Sequence, residues 1–156
     1  MSRMRAKSHA RTKPMARAEA VVATERASAD DELAAYCPDL DHWPASWRYE
    51  ERDLAPGRQM VECFKPFLRH LLSLGLSRTT LRRHRDNLWL LGGALIGKLH
   101  EVPQLRQRPI IDVVRQAIDE EGGPLICHGA ASEAEQRSFD ATCRRFYRFL
   151  TERNGL

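Results

Sequence analysis

The sequence lacks the features that would assign it to several common classes of protein. Its longest nearly apolar run, residues 88–97, is too short to span a bilayer. The basic N-terminus has no apolar stretch of the kind found in signal peptides. The four cysteines form no CxxC pair and no dense framework. We therefore expect a cytoplasmic protein with reduced thiols, neither exported nor inserted into a membrane.

Motifs for metal binding and catalysis are also lacking. A zinc site drawn from Cys37, His42, Cys127 and His128 has no pair with finger-like spacing, so we expect no metal. No GxSxG, P-loop or HExxH pattern occurs. Cys127 and His128 are sequence neighbours, which does not provide the geometry of a nucleophile and its base. We expect a protein that is not an enzyme and that has no cofactor and no small-molecule substrate.

The charge is distributed unevenly along the 156 residues. Residues 1–24 carry 6 basic and 1 acidic side chains, residues 25–56 carry 3 and 9, and residues 57–156 carry 16 and 11. Of the last 16 basic residues 14 are arginine, which suits forked contacts with phosphate and guanine. This pattern is compatible with nucleic-acid binding.

Residues 67–88 predict two helices joined by a tight corner. Gly75 is the glycine that often follows a helix, and Ser77 is a favourable N-cap for a helix that starts at Arg78. At about 100° per residue, the apolar positions of this second helix fall on one side, while Arg82, Arg85 and Trp89 lie within about 40° of Arg78. The helix thus has a core face and an arginine face.

The rest of the chain predicts an all-α protein, a compact bundle of about four helices. We expect residues 1–29 to form a disordered basic tail and residues 30–56 an acidic, aromatic-rich segment packed on the bundle. The bundle itself would span residues 57–156. Pro66 predicts a kink or break in its first helix, and Gly92 and Gly93 predict a close approach of another element to the second. Ser132 and Glu135 form a capping box that starts the last helix.

Two segments of this bundle together resemble a known family. The first is Phe67-Leu68-x-x-Leu71 followed by Gly75-Leu76-Ser77-x-x-Thr80-x-x-x-His84-x-x-x-Leu88, and the second is Arg144-Arg145-Phe146-Tyr147-Arg148-Phe149-Leu150. In that order they are similar to the N-terminal core-binding domain of tyrosine recombinases and phage integrases, over roughly residues 58–153. His84 stands where the family usually has tyrosine. No histidine starts the HxxR box of the catalytic domain, so we expect the recombinase chemistry to be absent.

The resemblance implies that the chain binds double-stranded DNA through arginines of its second and last helices. Arg137 is added to the set from its position on the helical wheel. The candidate DNA-binding residues are Arg78, Arg82, Arg83, Arg85, Arg137, Arg144 and Arg148. In this interpretation the chain is a stand-alone DNA-binding module associated with a mobile element, acting beside a separate recombinase.

Other interpretations of the same sequence stay open. The arginines can instead form surface ion pairs with Asp86, Glu133 or Asp140, which contribute little to stability. The acidic segment 30–56 favours a helical protein-interaction or regulatory module, for example a partner of an integrase or a toxin. A third alternative is a truncated integrase remnant.

Overall fold

A computed structural model describes residues 14–126 and 132–153 of the chain. These residues form α-helices and short 3-10 helices, with no strand among them, which confirms the predicted compact all-α bundle. The α-helices are α1 (Pro14–Tyr36), α2 (Trp43–Trp47), α3 (Leu54–Ser73), α4 (Arg78–Glu101), α5 (Ile110–Ala117) and α6 (Glu133–Arg153). The 3-10 helices are Leu40–His42, Glu51–Asp53 and Pro103–Gln107. The four predicted helices correspond to α3, α4, α5 and α6.

The amphipathic helix α3 lies at the centre and contacts α1, α2, α4 and α5. Its fully buried side chains include Phe64, Phe67 and Leu68, each of which contributes about 1.5–3 kcal/mol when removed from water. Of the kink or break expected at Pro66, the break does not occur, since the helix continues through this residue to Ser73. Proline removes one backbone hydrogen bond, and the buried Phe64 and Phe67 on either side keep the two halves of the helix packed on the same core.

The corner between α3 and α4 has the predicted geometry. Gly75 has a φ of +68°, a backbone conformation that glycine adopts without steric cost. Ser77 is the N-cap of α4, and its hydroxyl accepts a hydrogen bond from the Thr80 amide at 3.2 Å. Both predictions of local structure are confirmed.

A tryptophan from α2 fixes the middle of α4 against the bundle. The Trp47 ring lies where a side chain at Gly92 would begin, and the Trp47 indole N–H donates to the Trp89 carbonyl at 2.9 Å. Because glycine has no Cβ, α4 stays continuous while the indole packs on its backbone. The predicted close approach at Gly92 is confirmed.

The structure describes only part of the predicted N-terminal tail, residues 1–29. Residues 14–29 belong to α1, and residues 1–13 lie outside the described residues. This stretch is rich in alanine, which favours helix without requiring burial. Consistent with this, Val21 and Val22 are exposed, whereas Leu33, near the other end of the helix, is buried.

The acidic segment 30–56 packs on the bundle through its large apolar side chains. Leu40, Trp43 and Trp47 are buried in the same core as α3, α4 and α6. Among the described residues no helix has the length and the apolar character needed to cross a membrane.

A fully buried carboxylate, Asp53, joins this segment to the end of α4. It accepts hydrogen bonds from the Tyr49 and Glu50 amides at 2.8 and 2.9 Å, from His100 Nε2 at 2.9 Å and from an Arg106 guanidinium nitrogen at 2.8 Å. Burial by itself raises the pKa of Asp53, but these donors, Arg106 and His100 foremost, hold it well below the usual range. Asp53 therefore stays ionised and ties three parts of the chain together.

We predict that Asp53→Asn lowers the free energy of unfolding by about 3 kcal/mol, because it leaves Arg106 without its partner in a mostly buried position. Urea unfolding followed by circular dichroism measures the change. Asp41→Asn removes an exposed carboxylate of the same segment and should change stability by less than about 0.5 kcal/mol. Equal stability of the two variants would show that the Asp53 contacts do not hold the segment.

Candidate nucleic-acid interface

The two helices that carry the candidate arginines, α4 and α6, lie side by side. Asn87 of α4 donates to the Ser138 carbonyl of α6 at 3.1 Å and to the Thr142 hydroxyl at 2.9 Å. One turn earlier on α4, His84 Nδ1 lies 2.8 Å from the same Thr142 hydroxyl. The earlier residue on α4, His84, thus pairs with the later residue on α6, and Asn87 reaches the earlier residue Ser138, so the two helices are antiparallel. The start of α4 therefore lies beside the second half of α6.

His84, Asn87 and Thr142 form a buried polar contact between these helices. Burial first, and then the positive charges of Arg145 and Arg83, together lower the pKa of His84 to about 4. The imidazole is therefore uncharged at neutral pH. The charges of Arg83 on α4 and Arg145 on α6 thus both act on an imidazole that is buried between the two helices.

Five of the seven candidate arginines are exposed and distributed over both helices. They are Arg78, Arg82 and Arg83 on α4 and Arg137 and Arg148 on α6. Within residues 14–126 and 132–153, none of the five forms an ion pair with an acidic side chain. The surface ion pairs expected with Glu133 and Asp140 do not form for them in this part of the chain. These charges are accessible to an anionic ligand.

Arg85 differs from these five arginines because its guanidinium is engaged within the fold. Its position on the helical wheel did not predict this. It is half-buried, and it donates to the Tyr36 carbonyl at the end of α1 at 3.1 Å. It also forms an ion pair with Asp86 at 3.3 Å, the one expected arginine pair that the structure contains. The Tyr36 hydroxyl in turn donates to the Leu81 carbonyl. A cation at the C-terminus of a helix is favourable, so Arg85 anchors α1 to α4.

Arg144 is also engaged within the fold. It is half-buried and donates to the Glu121 carbonyl at 3.2 Å, in the loop that follows α5. Asp140 holds the same loop by accepting from the Gly123 amide at 3.1 Å. Arg144 and Asp140 thus fix the loop to α6, and Arg144 has less freedom than the five exposed arginines to contact a ligand.

Arg145 was not among the candidates, although its positive charge, like that of Arg83, is near enough to His84 to lower the pKa of that imidazole. A signal for it exists in the sequence, because Arg145 and Arg148 are three residues apart and therefore neighbours on the surface of α6. We call the group Arg78, Arg82, Arg83, Arg137, Arg145 and Arg148 the arginine surface.

A groove of about 650 Å³ runs between the helices next to this surface. Its charged lining consists of two guanidinium groups and two carboxylates, which belong to Arg82, Arg83, Asp86 and Glu135. These charges balance, so the groove itself is not positively charged, and the excess of positive charge lies on the exposed arginines outside its lining.

Among the described residues, no group of three or more His, Cys, Asp or Glu side chains is arranged to hold a metal ion. Two members of the zinc site considered from the sequence, Cys127 and His128, lie outside the described residues. Comparison with protein-family models, with curated proteins and with solved structures finds no match. The similarity to recombinase core-binding domains therefore stays an expectation from sequence motifs.

We predict that the buried His84 makes stability depend on pH. Between pH 6.5 and about 4 the unfolded chain binds a proton at this residue and the folded chain does not. Because the unfolded state binds more protons, the free energy of unfolding should fall by roughly 3 kcal/mol as the pH drops through this window. Urea unfolding at a series of pH values measures the slope.

The matched variant for this measurement is His84→Asn, which keeps a polar partner for Thr142 but has no proton to gain. Its stability should be lower at neutral pH and should change less between pH 6.5 and 4 than that of the natural chain. Identical pH slopes for the two chains would contradict the assignment.

Proposed function

We propose that the chain is a non-catalytic module that binds double-stranded DNA through the arginine surface. The observation that carries the proposal is the set of guanidinium groups on two adjacent antiparallel helices, none of them paired with an acidic side chain among the described residues. Sequence-independent DNA binding depends on such contacts, because each neutralised phosphate releases condensed counterions.

The spacing of these arginines fits a ligand that extends along both helices. Arg78 and Arg82 are one turn apart on α4, and Arg137 and Arg148 are separated by about 16 Å along α6 at a rise of about 1.5 Å per residue. A small anion cannot contact both ends of α6 at once, whereas a duplex presents phosphates over this distance. The planar guanidinium of arginine also forms two parallel hydrogen bonds to one phosphate, whereas lysine binds a phosphate as a point charge.

The described polar clusters offer no evident catalytic group. The buried Asp53 and its partner His100 resemble an acid–base pair. The Asp53 carboxylate, however, already accepts hydrogen bonds from Arg106 and from two backbone amides, so it is not available to a substrate. We therefore propose that any strand cleavage or joining is performed by a separate recombinase. Association with a mobile element follows from the resemblance alone.

A second candidate function, a helical protein-interaction module, is favoured by a different observation. The first half of α1 exposes Val21 and Val22, with exposed fractions of 55% and 44%. Such a helix could add to a helical partner, for example a recombinase. A protein that co-purifies after nuclease treatment, and that is lost from the Val21→Ser, Val22→Ser variant, would favour this function.

We predict that changing Arg78, Arg82 and Arg83 together to glutamine weakens DNA binding and its dependence on salt. If all six arginines of the surface contact phosphates, the natural chain should lose roughly a thousandfold in affinity between about 50 and 200 mM salt. Each removed contact should lower the slope of log affinity against log salt by about 1, or about 3 for the variant. Fluorescence anisotropy of a labelled blunt duplex measures both quantities. Arg85 is left unchanged because it supports α1.

The control variant changes Arg58, Arg108 and Arg115 to glutamine, which removes the same charge from exposed positions on other parts of the chain. It should keep most of the affinity and slope, because the lost charges lie outside the arginine surface. Equal weakening by the two variants would indicate unspecific attraction to a basic protein. Absence of duplex binding by the natural chain would overturn the proposed function.

A further inference from the structure

Trp89 on α4 is the one tryptophan of the three with a substantially exposed side chain. Its exposed fraction is 40%, whereas Trp43 and Trp47 are 3% and 5% exposed. The Trp89 indole N–H donates to the Ser46 hydroxyl at 2.9 Å, which holds one edge of the ring against α2. The ring is thus held by one edge while part of it remains accessible, an arrangement that suits contact with a flat ligand.

This ring continues the line of arginines along α4. At about 100° per residue Trp89 lies within about 20° of both Arg78 and Arg82 around the helix axis. Along the axis it lies about 10 Å beyond Arg82 at about 1.5 Å per residue. A nucleic-acid strand whose phosphates contact Arg78 and Arg82 would therefore reach Trp89 if it followed the helix.

The groove beside Trp89 favours an uncharged group over a phosphate. It measures about 570 Å³, and its lining includes Trp43, Leu90 and two carboxylates, Asp39 and Asp86. Asp39 accepts from the Trp43 indole at 3.2 Å and Asp86 pairs with Arg85, so both carboxylates are already engaged within the chain. They would still repel a phosphate, whereas a nucleobase carries no charge and has a flat face that can stack on an indole.

We propose that Trp89 stacks on an unpaired base that extends from the duplex held by the arginine surface. This inference rests on the proposed function and specifies its ligand as a duplex with a single-stranded end. The distance of about 10 Å between Arg82 and Trp89 corresponds to about three nucleotide steps at a rise of about 3.4 Å per step along a strand. Duplex phosphates lie on the arginine surface, and the first bases beyond the duplex lie at Trp89.

The test compares a blunt duplex with the same duplex carrying a short thymine overhang, by fluorescence anisotropy of labelled DNA. The natural chain should bind the overhang duplex roughly tenfold more tightly, since stacking of a base on an aromatic side chain gives preferences of this order. Trp89→Ala should bind both duplexes with the affinity that the natural chain has for the blunt one. Tyr49→Ala, which removes another exposed aromatic side chain, should keep the preference.

Tryptophan fluorescence gives a second readout that needs no alanine variant. The overhang should quench the emission of the natural chain more than the blunt duplex does, and Trp89→Phe should lose this difference because Trp43 and Trp47 are buried. Equal affinity for both duplexes, without additional quenching by the overhang, would overturn the stacking role and leave the proposed function intact. No binding of either duplex would overturn both.

Discussion

The buried contact of His84 and Asn87 with Thr142 determines how α4 and α6 lie against each other, and the arginine surface depends on that arrangement. Apolar side chains alone would let two antiparallel helices slide by a turn at modest cost. A hydroxyl that must be shared between an imidazole and an amide restricts this freedom, because a shift would leave buried polar groups without partners. The relative position of the arginines on the two helices therefore depends on three side chains that are themselves buried.

The buried position of His84 in this contact disfavours protonation of its imidazole. Burial, and after it the positive charges of Arg145 and Arg83, disfavour the imidazolium, so His84 is uncharged in the folded chain at neutral pH. A phosphate bound near Arg83 and Arg145 would reduce this electrostatic cost. DNA binding and the protonation of His84 are therefore expected to favour each other. Asp53, which contacts His100 near the other end of α4, is also buried but keeps its charge, because it accepts hydrogen bonds from several donors.

Features set by residues close in sequence could be predicted, whereas features set by distant residues could not. The glycine after α3, the Ser77 cap and the Ser132 capping box depend on neighbouring backbone groups, and all have the predicted geometry. Arg85 shares its helical face with Arg78 and Arg82, but only the packing of α1 on α4 brings the Tyr36 carbonyl to its guanidinium. In the same way, no local pattern pairs Asp53 with Arg106.

The central claim is that the arginines of α4 and α6, and not basic side chains in general, contact a duplex. Arginine side-chain NMR tests it most directly, because the Nε–Hε signal of each guanidinium can be followed separately in a chain of 17.9 kDa. On addition of a blunt duplex, the signals of Arg78, Arg82, Arg83 and Arg148 should shift, while those of Arg58 and Arg115 should not. Shifts spread evenly over all arginines, or confined to those outside α4 and α6, would contradict the account.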